Sequence, residues 1–358
     1  HFALVVGIVR RIDEPLGPGP AMKQEDPAAG QDADRVGFVV IGRNEGERLV
    51  RCLDSLKSAG AAEIVYVDSG STDGSVMEAE KRGARVVKLD LSRPFTAGRA
   101  RNEGFEQLLL DSGEIDFVQF IDGDCELAPD WLPQALRFLI GHAQVAIVCG
   151  RRQEKNPDAS PYNKLCDIEW NTPIGEAEAC GGDSLVRAGP FRTVGGFSDR
   201  LIAGEEPELC HRLRARGWKI WRIDADMTLH DAAMYRLSQW WMRGVRSGFG
   251  YAQVWAATRQ GKGVPLYGQQ IRRAIIWAGA LPAVTLAASL CDPRWILGLT
   301  GIYALQVARI AFRLGVTQRS AWSYGFFAML AKFPELQGAA RYLLMAIRGG
   351  QRSAILYK

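Results

Sequence analysis

Three short apolar runs in this chain each end abruptly in polar residues: VGFVVIGRNE, EIVYVDSGS and FVQFIDGDC. Runs of this length, rich in Val, Ile and Phe, predict strands buried on both faces. Between them, residues 47–59 place Leu49, Leu53 and Leu56 on one helical face, and residues 74–82 and 98–110 also read as helices. Residues 85–89 read as a further strand. Repeated βα units of this size predict an α/β fold with a mostly parallel sheet and helices on both faces. Ligands of such sheets bind outside the carboxyl ends of the strands. The clusters Arg43-Asn44-Glu45, Asp68-Ser69-Gly70-Ser71 and Asp122-Gly123-Asp124 are therefore expected to converge on one crevice.

Several functions are excluded at this level. The first strand is followed by GRNEG rather than GxGxxG, and no GxxxxGK[ST] segment occurs, so a dinucleotide fold and a P-loop are set aside. A net charge of +4 from 44 basic and 40 acidic residues does not mark a nucleic-acid binder. The 7 cysteines form no CxxC pair, which argues against a disulfide framework or a zinc ribbon and fits a reducing compartment.

Residues 1–35 read as a disordered leader, rich in Pro, Gly, Ala and Asp from residue 15 onward. Its apolar run, residues 2–9, is far short of the ~20 residues needed to span a bilayer, and a signal peptide is not expected. Residues 1–21 precede Met22 and are expected to be upstream sequence. At the other end, residues 274–290 and 295–312 form two apolar runs separated by CDPR, followed by a segment in which Lys and Arg alternate with Trp, Tyr and Phe. A hairpin or an interfacial mat on an anionic leaflet both fit this pattern. The expected organisation is a leader of 1–35, a catalytic domain of 36–260 and membrane-associated helices over 261–358.

The segment VQFIDGDCEL delivers two carboxylates, one residue apart, to a strand end. Two such charges repel unless a positive group lies between them and the ligand. A hard divalent cation bridging to a diphosphate would serve both. Taken alone, the triplet is a weak motif and is better explained as an ordinary Asp-Gly turn. The chain as a whole, however, resembles the family 2 glycosyltransferases of the GT-A fold over roughly residues 36–253. VVIGRNEGERLVRCLDSL is similar to the family's first strand and helix, IVYVDSGSTDGS to its VDDGSTDGT segment with Ser69 in place of the second Asp, and RPFTAGRARNEGF to its ARN segment. DGD and VGGFSDRLIAGEEPELCHRLRARGW follow in the family's order.

The resemblance implies roles. Asp68 would accept from the nucleotide base, with Arg101, Asn102, Arg43 and Glu45 nearby. Asp122 would face ribose and metal, and Asp124 and His230 would hold Mn²⁺ or Mg²⁺. Glu206 matches the family's base position, with Glu205 as its competitor; Glu replaces the family's Asp there and lengthens the side chain by one methylene. In RLSQWWMRGVR, Trp240 or Trp241 would stack on the acceptor sugar, while Arg243 and Arg246 would neutralise the diphosphate. Arg and Gln are exchanged relative to the processive members' QxxRW, which argues against processive synthesis. The loops over 156–178 and 180–183, with Asp183, would shape the acceptor side.

The function so implied is a metal-dependent, inverting hexosyl transfer from a nucleotide-sugar, UDP-sugar favoured, to a lipid-linked or polysaccharide acceptor. Cell-surface glycan synthesis at the cytoplasmic face of the inner or plasma membrane, in contact with membrane lipids, is the expected setting. Two rivals stand beside it: a polyprenyl-phosphate sugar synthase of the same fold, and a catalytically silent nucleotide-sugar binding or scaffold protein.

Overall fold

The computed structural model describes residues 36–93, 95–259 and 264–348; the leader of residues 1–35 lies outside the described residues. The chain opens with β1 (Val36–Gly42), α1 (Glu47–Ser58), β2 (Glu63–Asp68), α2 (Ser75–Lys81), β3 (Arg85–Lys88), α3 (Ala97–Ser112) and β4 (Phe117–Asp122), matching the expected alternation within a residue or two at most ends. It continues through β5 (Cys125–Leu127), α4 (Trp131–Gly141), β6 (Val145–Glu154), α5 (Pro161–Trp170), β7 (Gly175–Glu176), β8 (Ser184–Arg187), α6 (Ala188–Thr193), α7 (Glu205–Arg214) and β9 (Lys219–His230).

The strands form one sheet in the order β3-β2-β1-β4-β8-β6-β9-β5, with β7 on β9. Its first four strands are parallel, and β6 runs parallel to β9. Strands β8, β5 and β7 pair antiparallel with their neighbours, so the second half of the sheet is mixed. Successive strand residues point to opposite faces. Phe38 and Val40 therefore join the core under α1 and α4, whereas Val39 joins the core under α3 and α7. Helix α1 meets the first core with Leu49, Cys52, Leu53 and Leu56, spaced by three and four residues and all buried.

The register is what assembles the site. Ile41 pairs with Asp122 across β1 and β4, and Gly42 pairs with Asp68 across β1 and β2. On the other half, His230 pairs with Glu154 of β6 and with Cys125 of β5. Asp124 immediately precedes Cys125, so the second carboxylate of the DGD triplet arrives beside the imidazole.

Beyond the sheet run α8 (Leu237–Thr258), α9 (Gly268–Ile275), α10 (Leu281–Ser289), α11 (Trp295–Leu314), α12 (Arg319–Leu330) and α13 (Lys332–Ile347). A π turn over Ile276–Ala280 joins α9 to α10. Residues 268–289 and 295–314 are long and apolar enough to cross a membrane, and only 6% of the most apolar window of each is buried. Helix α13 returns to α8, where a Cβ on Gly248 would clash with the Glu335 backbone and one on Gly338 with that of Val245. Packing thus runs across the boundary expected near residue 260: Trp240 of α8, Cys166 of α5 and Tyr324 of α12 share one apolar cluster.

Candidate active site

A cleft at the strand ends is lined by Arg43, Glu45, Ser69, Asp122, Gly123 and Asp124, among others. All three strand-end clusters contribute, and Arg246 reaches the same cleft from α8. Asp68 is buried and its carboxylate is already occupied. Oδ2 accepts the N–H groups of Gly70 and Ser71, each at 3.0 Å, and Oδ1 accepts the Tyr66 hydroxyl at 3.2 Å. These bonds shape the loop after β2.

Asp122 sits between two buried arginines. Arg101 donates to Asp122 Oδ1 at 2.7 Å and, through its other terminal nitrogen, to Glu205 Oε1 at 2.8 Å. Arg152 donates to Asp122 Oδ2 at 3.2 Å and to Asp183 Oδ2 at 2.5 Å. Asp183 closes the network: its Oδ1 accepts the Asp122 N–H at 3.0 Å, and its Oδ2 accepts the Thr228 hydroxyl at 2.9 Å. Burial alone would raise the Asp183 pKa, but the Arg152 guanidinium and the Asp122 N–H together hold it below the ordinary carboxylate range. Gly182 is needed beside this network, because a Cβ there would stand 2.9 Å from the Arg101 guanidinium and 3.0 Å from Asp122 Oδ2.

Asp124 Oδ1 lies 3.4 Å from His230 Nε2, and Glu154 Oε2 lies 3.9 Å from His230 Nδ1. Burial favours the neutral imidazole, yet Asp124 and Glu154 outweigh it and lift the His230 pKa to about 9. The Trp170 ring meets the imidazole edge to face at 4.6 Å.

Glu206, in the first turn of α7, is 3% exposed. Its Oε1 accepts the Cys180 N–H at 2.5 Å and the Cys210 thiol at 3.4 Å, whereas its Oε2 has no hydrogen-bond partner among the described residues. Glu206 lines a second cavity together with Arg152, Trp170, Cys180, Asp183 and Tyr267. The two cavities adjoin through the Asp122–Arg152–Asp183 network, since Asp122 lines the first and the other two line the second.

Other expected site residues lie elsewhere. Asn102 ties down the turn after α6: its Nδ2 donates to Phe197 O at 2.8 Å and its Oδ1 accepts the Phe197 N–H at 2.9 Å. Arg243 is paired with buried Glu169 at 2.9 Å. Trp240 is 1% exposed and stacks edge to face on Phe327 at 5.2 Å, so the platform role expected of it is not available in this arrangement. Trp241 donates from Nε1 to Gln337 of α13 at 2.8 Å. The cause is common to both tryptophans: helix α8 turns this part of its surface toward α5, α12 and α13.

Sequence reasoning missed Arg152, Glu154 and the thiol of Cys210, whereas Trp170 and Cys180 fall within the loops of 156–178 and 180–183 expected to shape the acceptor side. A usable signal existed for the first two, because VAIVCGRRQE is another apolar run ending in charge.

Residues 38–185 match the model of glycosyl transferase family 2. A pre-mycofactocin glycosyltransferase of Mycobacterium tuberculosis is 27% identical over 221 residues, covering 57% of this chain and 44% of that protein. An uncharacterized glycosyltransferase of Rickettsia conorii is 28% identical over 139 residues, 37% of this chain and 46% of that protein. The chain thus spans less than half the length of these curated relatives. Among solved structures, a mannosyltransferase of Pyrobaculum calidifontis in complex with GDP-Man and Mn²⁺ superimposes with a TM-score of 0.57 at 18% identity, over 84% of this chain and 86% of that one. That likeness is one of fold. Strand-end motifs, sheet order and family match agree over residues 38–185, a segment similar to the family 2 glycosyltransferases, and the chain has the GT-A fold.

Proposed function

We propose that the protein transfers a hexose from a nucleotide-sugar to a hydroxyl of a lipid-linked or polysaccharide acceptor, inverting the anomeric centre, at the cytoplasmic face of a membrane. The observation that carries this reading is the adjacency of the two cavities. One is lined by strand-end carboxylates and arginines, the other by a buried glutamate with an unpartnered oxygen. A nucleotide-sugar donor is the ligand we assign to the first cavity, and the mannosyltransferase of similar fold, whose complex holds GDP-Man and Mn²⁺, supports that assignment.

The donor set suits a divalent cation. Asp124 Oδ1 and His230 Nε2 are too far apart for a good hydrogen bond, yet as a mixed oxygen and nitrogen pair beside Asp122 they fit Mn²⁺ or Mg²⁺. A bound cation supplies positive charge against the departing diphosphate. Arg246 and Arg43, which line the same cleft, add fixed positive charge to the phosphates.

Glu206 is the residue to take the acceptor proton through its unpartnered Oε2. The Cys180 N–H and the Cys210 thiol hold its other oxygen, so the carboxylate is oriented before the acceptor arrives. Trp170 and Tyr267 offer aromatic walls to the acceptor sugar in place of Trp240. Glu205, paired with Arg101, orients Asp122 instead. The apolar helices of residues 268–289 and 295–314 favour an acceptor presented at a lipid surface, with the catalytic domain of 36–260 docked on them.

The test is a screen of UDP-, GDP- and dTDP-sugars for binding and hydrolysis with and without Mn²⁺. Absence of metal-dependent binding or hydrolysis with every donor overturns the proposal. Glu206→Gln is expected to lower transfer to a hydroxyl acceptor by about 10²–10⁴-fold while donor binding persists. Near-normal transfer would point instead to a polyprenyl phosphate acceptor, which brings its own nucleophilic oxygen.

A further inference from the structure

Two thiols and a carboxylate meet at the start of α7, separate from the Asp124–His230 pair. Cys180 Sγ stands 3.6 Å from Cys210 Sγ, and Cys210 Sγ stands 3.4 Å from Glu206 Oε1. The donor atoms of the three residues all lie within 4.8 Å of one another. With metal–sulfur bonds of about 2.3 Å and metal–oxygen bonds of about 2.0–2.2 Å, neighbouring ligands of a tetrahedral ion stand roughly 3.5–3.8 Å apart. The two separations are therefore close to ligand spacing before any ion arrives. Glu206 and Cys210 are four residues apart on one helix and share a face, while Cys180 comes from the loop after β7.

A second observation is independent of that spacing. Glu206 is 3% exposed, and its Oε2 has no hydrogen-bond partner among the described residues. Buried polar atoms are as a rule satisfied, so an orphaned oxygen on a carboxylate that lines a cavity marks a place for a ligand. Cys180 and Glu206 both line that cavity, which gives an ion a way in.

We propose that Cys180, Cys210 and Glu206 form a second, thiolate-rich cation site that takes a soft divalent ion such as Zn²⁺ or Cd²⁺. Soft thiolates select such ions over the hard cation expected at Asp124. Binding releases the two thiol protons to solvent and leaves one coordination position open toward the cavity. Filling the site withdraws Glu206 from the acceptor, so a soft metal inhibits transfer. This last consequence rests on the reading of Glu206 as the proton acceptor; the site itself does not.

The test uses the reduced full-length chain carrying Cys291→Ser, so that this exposed thiol cannot contribute, with Mn²⁺ in excess. Titration with Cd²⁺ is followed by the ultraviolet thiolate-to-cadmium charge-transfer band, which oxygen and nitrogen ligands do not produce. One equivalent per chain is expected, with the band lost in Cys210→Ser and in Cys180→Ser; the half-buried position of Cys180 makes its variant the safer one to fold. Glu206→Gln is expected to keep the band and weaken binding tenfold or more. Absence of the band, or a band that survives either serine variant, overturns the proposal. So does spontaneous loss of exactly these two thiols to thiol-specific titration without metal, which would make them a disulfide pair. One equivalent of Cd²⁺ is expected to reduce transfer at least tenfold in the parent chain and not in Cys180→Ser. Full binding with unchanged transfer would support the site and overturn the role given to Glu206.

Discussion

Leucine meets opposite fates in two regions of this molecule. In α1, Leu49, Leu53 and Leu56 are all 0% exposed, pressed onto the sheet; in α11 and the turn before it, Leu290, Leu297 and Leu305 are 86%, 73% and 72% exposed. The side chains are the same, so the difference lies in what each helix has been given to pack against. The sheet domain closes its core with apolar side chains and sets Asp122 and Asp183 at the polar end of the sheet, where Arg101 and Arg152 pair with them. The helices of residues 268–289 and 295–314 carry no acidic residue, keep their arginines (Arg272, Arg273, Arg309 and Arg313) toward the outer ends, and cover little of each other. An exposed apolar surface of this kind is rare on a soluble monomer and is relieved by a lipid phase or a partner. One region is thus specified by its own closed core, the other by an apolar face open at the surface.

The comparison breaks most readily at the buried arginine. Arg152→Leu removes the partner of Asp183, which is 0% exposed, and one of the two partners of Asp122. Stripping one member from a buried ion pair costs about 3–5 kcal/mol. The midpoint of denaturant unfolding should fall accordingly. A midpoint within error of the parent chain would mean that the network is not what holds the sheet's polar end together.

A slightly smaller effect is expected in chemistry rather than stability. Asp124→Asn keeps the shape of the DGD turn and removes one charge, so unfolding should be little changed. Metal-dependent donor turnover should fall by about 10²–10³-fold, the usual consequence of removing one electrostatic stabiliser of a transition state. Unchanged turnover would rule out Asp124 as a ligand of the proposed cation.

What could be read before folding divides along the same line. Strands β1, β2 and β4 were legible because local apolar runs of short length stop at polar residues, and the convergence of Arg43, Asp68 and Asp122 follows from parallel strands ending together. His230 was legible only by resemblance; its neighbour Asp124 is brought there by the antiparallel β5–β9 pairing, across a sequence gap no local pattern spans. Arg152 was overlooked although its strand obeys the same rule as the others, since its partner Asp183 lies in a loop before β8. Trp240 shows the limit from the other side. Its helix carries apolar residues on more than one face, and only the return of α12 and α13 decides which face is covered.

In the helical region the expected effects are milder and concern lipid rather than folding. Leu297→Ser and Leu305→Ser alter side chains that touch little protein, so neither should lower the unfolding midpoint appreciably. Each removes apolar surface worth about 1.5–3 kcal/mol when buried, and together they should weaken co-sedimentation with anionic vesicles. A variant that sediments as before, yet unfolds more easily, would show these leucines to be core residues of an assembly.

The smallest effect concerns the seam that joins the two regions. Glu335, at the start of α13, is 1% exposed and accepts from Lys332 at 2.7 and 3.0 Å. Burial pushes its carboxyl pKa up, and the lysine only partly offsets the rise. The folded chain therefore holds this proton more tightly than the unfolded chain does. Its contribution to stability is fully present below the ordinary value of 4.5 and is lost as pH rises through the raised folded value. Glu335→Gln removes that dependence, because the amide stays neutral throughout. Measured from about pH 4 to about pH 8, the parent Tm should fall relative to that of Glu335→Gln as pH rises. Parallel curves would mean that the carboxyl titrates as it does in water, leaving the close contact of α8 and α13 at Gly248 and Gly338 to hold the apolar helices to the sheet domain.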